Sequence, residues 1–94
     1  MTFRDLSSSE TSVVGAWAGP AADDNARRVE WLTSERLERV ADGNWTALFR
    51  DPKDDRLWEL YYPQGEMHGG GPPALRLVSR EEAVESYGYQ GSDR

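Results

Sequence analysis

Apolar positions along the chain follow two rhythms, helical in the first half and alternating in the second. Val13, Val14, Gly15, Ala16 and Trp17 form a short apolar run ending near Gly19 and Pro20, which reads as a short strand. Over residues 25–41 the spacing predicts a helix with Ala26, Val29, Leu32, Leu37, Val40 and Ala41 on one face. Arg27, Arg28, Glu30, Glu35, Arg36, Glu38 and Arg39 fill the rest, with Glu35 and Arg39 at the favourable i,i+4 spacing. Asp23, Asp24 and Asn25 supply the start and Gly43 the stop, while Thr33 and Ser34 weaken the middle. The rhythm then changes to two. Residues 45–50 alternate with Trp45, Ala47 and Phe49 on one side, and residues 51–55 are rich in turn formers. Residues 57–62 alternate again, with Trp58, Leu60 and Tyr62 opposite Leu57, Glu59 and Tyr61, and Pro63 ends that strand. Residues 74–78 read as a further strand. Ser79 and Glu82 make a capping box for a short helix with Ala83, Val84 and Tyr87 inward and Gly88 as its stop.

The order strand, helix, three strands, helix predicts a small α+β domain. Its antiparallel sheet of three to four strands would pack with two helices. The expected boundaries are a loose, Ser-rich arm over residues 1–9, the domain over 10–88 and a tail over 89–94. A chain of 94 residues suits one domain with a small core, and its four Trp, four Tyr and two Phe raise the area buried per residue. Cysteine is absent, so disulfides and Cys-based zinc sites are excluded. The N-terminus has no apolar stretch resembling a signal peptide, and no run approaches a membrane span. A soluble, cytoplasmic protein is the expectation.

The net charge of −6, with ten Arg and a single Lys, makes nucleic acid a poor partner and a basic protein a better one. Solubility alone would also account for the acidity. Candidate catalytic chemistry is thin. His68, the single histidine, has Glu66 two residues away, but there is no cysteine and no serine in a nucleophile-elbow context. One histidine with scattered carboxylates is not a metal-ligand spacing. Gly69, Gly70 and Gly71 run into Pro72 and Pro73, so the stretch is neither a phosphate loop nor a dinucleotide fingerprint. It suits a tight reversal over the sheet or a surface for a partner. No catalytic residue, cofactor or metal site is expected. Asp51, Asp54, Asp55, Glu59 and Glu66, set against Lys53 and Arg56, are either a solvated turn or a negative patch. The candidate contact residues are Asp54, Asp55, Glu59, Tyr61, Glu66 and His68.

Residues 15–17 (GAW, after Glu10), 27–32 (RRVEWL), 44–63 (NWTALFRDPKDDRLWELYYP), 68–79 (HGGGPPALRLVS) and 81–87 (EEAVESY) together resemble immunity protein family 27 of bacterial polymorphic toxin systems. The resemblance runs over roughly residues 10–87. Its departure is Asp55, where the family is expected to carry Gly; Asp can hold a left-handed turn at some cost. The resemblance implies a non-enzymatic, cytoplasmic antidote that protects a bacterium from a toxin delivered by its kin. Its partner would be a cognate toxin domain, expected to be basic. A nuclease toxin, whose site must be basic to hold phosphates, would suit an acidic antidote. The resemblance assigns no residue contacts, so the six candidates rest on the residues alone. The rival reading is a small-molecule-binding or regulatory domain using the aromatic Gly/Pro loop.

Overall fold

The N-terminal apolar run divides in two. Ser12–Val14 forms β1, whereas Trp17–Ala18 (β2) and Ala21–Ala22 (β3) pair with each other as a separate antiparallel ribbon. The computed structural model describes residues 4–14, 17–18, 21–22, 24–43, 45–62 and 72–89. Helix α1 spans Asp24–Trp31, and the chain then widens into a π turn over Leu32–Arg36, closed by the Leu37 amide donating to the Leu32 carbonyl at 2.8 Å.

The helix expected to reach residue 41 therefore stops short, and its own side chains give the reason. Thr33 Oγ1 donates to the Val29 carbonyl at 2.9 Å and Ser34 Oγ to the Glu30 carbonyl at 2.8 Å. These hydroxyls compete for carbonyls that a regular next turn would use. Leu37 then turns extended, at φ −103° and ψ 154°. Glu38–Asp42 becomes β4, an edge strand paired antiparallel with β5 (Ala47–Arg50), with a bulge between Arg39 and Ala41. Residues 38–42 fit either rhythm in sequence, and pairing with a strand in the sheet interior decides for extended structure.

Strands β6 (Leu57–Tyr61) and β7 (Ala74–Val78) complete a five-stranded antiparallel sheet of order β1-β7-β6-β5-β4. That is one strand more than the three to four expected, the difference being β4. Register aligns Phe49, Trp58 and Leu77 in one rung and Ala47, Leu60, Leu75 and Val13 in the next. On that face Val29 and Leu32 close the main core together with Leu6 and Leu37. On the opposite face Leu48, Leu57 and Val78 meet Ala83, with Val40, Ala41, Tyr87 and Tyr89 packed around them. Both faces are thus covered, so Ala47, Leu48 and Phe49 are all buried.

Helix α2 spans Arg80–Tyr87 and opens as the capping box predicts: Ser79 Oγ accepts from the Glu82 amide at 3.0 Å. It closes on Gly88 at φ 64°, where the Gly88 amide donates to the Val84 carbonyl at 2.9 Å, a left-handed glycine ending, and the Tyr89 amide reaches Ala83. Ala83 points inward as expected. Val84 does not, and stays 48% exposed.

Within the Ser-rich N-terminus, expected as a loose arm, Arg4 and residues 7–9 are exposed, but the segment is tied to the domain at several points. Leu6 enters the core. Arg28, buried on α1 rather than on its solvent side, donates from Nε to the Arg4 carbonyl and from Nη2 to the Asp5 carbonyl. Lys53 Nζ donates to the Leu6 carbonyl at 2.8 Å, and Arg56 to the carbonyls of Ser7 and Glu10.

Gly43 turns the chain from β4 into β5 rather than ending a helix, its amide donating to the Thr46 carbonyl at 2.9 Å. A Cβ there would stand 2.4 Å from Thr46 Oγ1 and 2.8 Å from Tyr87 Cε1. Gly43→Ala should therefore cost about 1–3 kcal/mol through overpacking, read as a lower urea midpoint. Wild-type stability in that variant would show that Thr46 and Tyr87 can move aside.

Candidate interaction surface

Four of the six contact candidates, Asp54, Asp55, Glu59 and Tyr61, come from the strands and turn of the β5–β6 hairpin, and ion pairing decides what the three carboxylates offer. In the turn, Asp51 is buried and its Oδ1 accepts from the Lys53 amide at 2.9 Å, which fixes the start of the reversal. Its Oδ2 lies 3.7 Å from Lys53 Nζ. Asp54 accepts from the Arg56 amide at 3.1 Å and pairs with the Arg56 guanidinium at 2.7 Å. Burial works to raise the Asp54 pKa, but these two bonds from Arg56 outweigh it and hold the carboxyl below its ordinary value. Asp55 takes the left-handed conformation at φ 64° and pairs with Arg50, which also holds Glu38 at 2.8 Å. Asp51, Asp54 and Asp55 each meet a cation, Lys53, Arg56 and Arg50, though Arg50 is shared with Glu38, so most of the turn's negative charge is engaged within the fold.

Glu59 is engaged in the same way. It sits on the face covered by α2, with its side chain 13% exposed. Arg76 Nε donates to Glu59 Oε1 at 2.6 Å, and Arg76 Nη2 also pairs with Glu82. The Tyr87 hydroxyl donates to Glu59 Oε2 at 2.7 Å and lies 2.6 Å from Thr46 Oγ1. Burial, reinforced by the Glu59 carboxylate, pushes the Tyr87 phenol up to about 12. The capping-box glutamate therefore spends its side chain on Arg76 rather than on the helix start. The network joins β6, β7, α2 and the β4–β5 turn through charge-assisted bonds.

Register separates the remaining candidates. Leu57 pairs with Arg50 and Val78 at one end of the sheet, whereas Tyr61 pairs with Ala74 at the other. The length of β6 puts about 14 Å between those ends. Asp54 and Asp55 lie at the first end and half-buried Tyr61 at the second. Glu66 and His68, like Gly69, Gly70 and Gly71, lie outside the described residues.

The second end carries what the sequence reading missed. Trp45, assigned by alternation to a strand, stands instead in the β4–β5 turn at φ 69° with 86% of its surface exposed. Val14 is 47% and Tyr62 42% exposed at this same end of the sheet. The signal available in sequence was the run Asp42, Gly43 and Asn44, a set of turn formers placed immediately before Trp45.

Uncompensated charge lies elsewhere again. Among the described residues every cation except Arg80 is ion-paired within the chain. Four exposed carboxylates have no such partner there: Glu30 and Glu35 on one outer layer, Glu81 and Glu85 on α2. The described residues contain no group of three or more His, Cys, Asp or Glu suited to a metal ion, and no described helix is long and apolar enough to cross a membrane.

Comparison with known proteins gives one match. The family model described as Immunity protein 27 matches residues 20–79. That stretch holds α1, β4, β5, β6 and β7. No curated protein and no solved structure matches the chain.

Proposed function

The chain belongs to the immunity protein 27 family, and on that premise we propose that it neutralises a cognate bacterial toxin domain by binding it, in the cytoplasm of the cell it protects. The match over residues 20–79 is the observation that carries this reading. Inhibition is by occlusion rather than by chemistry.

The partner is basic. Among the described residues the carboxylates without an ion-pair partner are Glu30, Glu35, Glu81 and Glu85, exposed on both outer layers. Carboxylates of this kind speed encounter with a positive surface and disfavour a negative one. A nuclease domain, which must gather cations to hold phosphates, is the toxin class that such a field suits best.

The test is protection. The toxin encoded beside this protein should kill a sensitive bacterium when expressed alone, and co-expression of this chain should restore growth and yield a complex on purification. Toxicity unrelieved by the chain would overturn the reading. Affinity should also fall as salt is raised. An affinity indifferent to salt would remove the basic partner while leaving the immunity reading in place.

A further inference from the structure

The turn between β4 and β5 is anchored from three sides. The Gly43 amide donates to the Thr46 carbonyl, Gly43 packs where no side chain fits, and Thr46 Oγ1 lies 2.6 Å from the Tyr87 hydroxyl. Through Tyr87 the turn is bonded to Glu59, and through Glu59 to Arg76 and Glu82. On this fixed base Trp45 is exposed over 86% of its surface and held at φ 69°. A large L residue is strained in that region, where glycine or asparagine is at ease. Exposure of an indole to water is a second cost. Folding alone does not account for tryptophan at this position.

The geometry points to Trp45 as the apolar anchor by which this chain docks on its toxin domain, seated in an apolar slot with a basic rim. This rests on the immunity reading above. Backbone strain persists where function requires it, and exposed, preorganised Trp is the residue most often found carrying binding energy. Two further apolar side chains, Val14 at the end of β1 and Tyr62 just past β6, are exposed at the same end of the sheet, on opposite faces by the alternation of the strands. Three strand spacings, about 14 Å, separate β1 from β5. Three of the four large apolar side chains exposed among the described residues therefore share one end of the sheet.

Charge identifies the occupant's rim. α2, whose last turn is bonded to Thr46, carries the unpaired Glu85 in that turn. Arg or Lys around the slot would meet this carboxylate and could also lie on the indole face. The edge of β4 is a poor alternative, because its bulge and charged residues interrupt the row of backbone groups that an added strand would need.

Two variants, Trp45→Gly and Trp45→Phe, test this against the toxin domain encoded beside the protein, by calorimetric titration and by melting of the isolated chain. Trp45→Gly should weaken binding by about 30-fold or more, with a Tm at or above wild type because glycine accepts φ 69°. Trp45→Phe, which keeps a ring, should retain much of the affinity. Unchanged affinity in Trp45→Gly would overturn the anchor. A Tm well below wild type would make Trp45 a packing residue and overturn it too. Failure of the wild-type chain itself to bind that domain would instead bring down the immunity reading, and the anchor with it.

Discussion

Trp58→Ala should cost about 3–5 kcal/mol, a large part of the stability available to a domain this small. Trp58 is wholly buried at the centre of the sheet, in the rung between Phe49 and Leu77, and it joins the cluster closed by Val29, Leu32 and Leu6. Truncation would open a cavity bounded by sheet on one side and helix on the other, with little freedom to collapse. Among the described residues its buried indole nitrogen has no hydrogen-bond partner, while the Arg56 guanidinium lies 5.0 Å from the ring centroid. Trp58→Phe removes the unpaired donor and keeps a ring beneath Arg56, so it should cost distinctly less than the alanine change. Urea unfolding of the two variants compares them directly. Equal losses would mean that neither the retained ring volume nor removal of the unpaired donor helps, and would overturn this account of the site.

Arg28→Ala should be comparably damaging, at about 3–5 kcal/mol, because it strips one partner from a buried ion pair. Arg28 grips both carboxylate oxygens of Glu10 at 2.8 Å and donates to the carbonyls of Arg4 and Asp5. Its loss leaves the two carbonyls without that donor and Glu10 with only the Ser7 amide and a longer contact to Arg4, and it loosens the segment that carries Leu6 into the core. Lysine cannot reproduce the fork, so Arg28→Lys should recover little.

The same pair sets an acid limit. The Arg28 hydrogen bonds, against an opposing effect of burial, hold the Glu10 carboxyl down at about 2 from its ordinary 4.5. A carboxyl depressed in the folded state adds stability that is complete above about pH 4.5 and decays as the pH falls towards about 2. The stability gap between wild type and Arg28→Ala should therefore narrow across that window. A gap of constant size down to pH 3 would exclude Glu10 as the acid-sensitive contact.

Local signals made much of the architecture legible. Ser79, Glu82 and Gly88 marked α2 because capping chemistry depends on few neighbours. The alternation at 57–61 marked β6, and Pro63 its limit. Residues 38–42 misled, because Val40 and Ala41 extend a helical stripe as readily as they line a strand, and only the register with β5 distinguishes the two. Arg28 resembled a solvent residue on a helical wheel; its burial follows from Glu10 and two carbonyls that lie far away in sequence. The contact candidates show the same limit. Composition marked Asp54, Asp55 and Glu59 as negative, but charge is a property of pairs, and their cations were found only in three dimensions. Trp45 was hidden for the opposite reason: alternation counts a ring as inward unless backbone geometry turns it out.

The bulge between Arg39 and Ala41 has a consequence for association between copies of the chain. Exposed sheet margins tend to zip edge to edge into insoluble assemblies. At one margin β1 offers only three residues, and at the other the bulge breaks the ladder between Glu38 and Asp42. Neither margin presents a flat, uninterrupted template to a second molecule. The irregular edge of β4 thus works against edge-to-edge polymerisation of the chain.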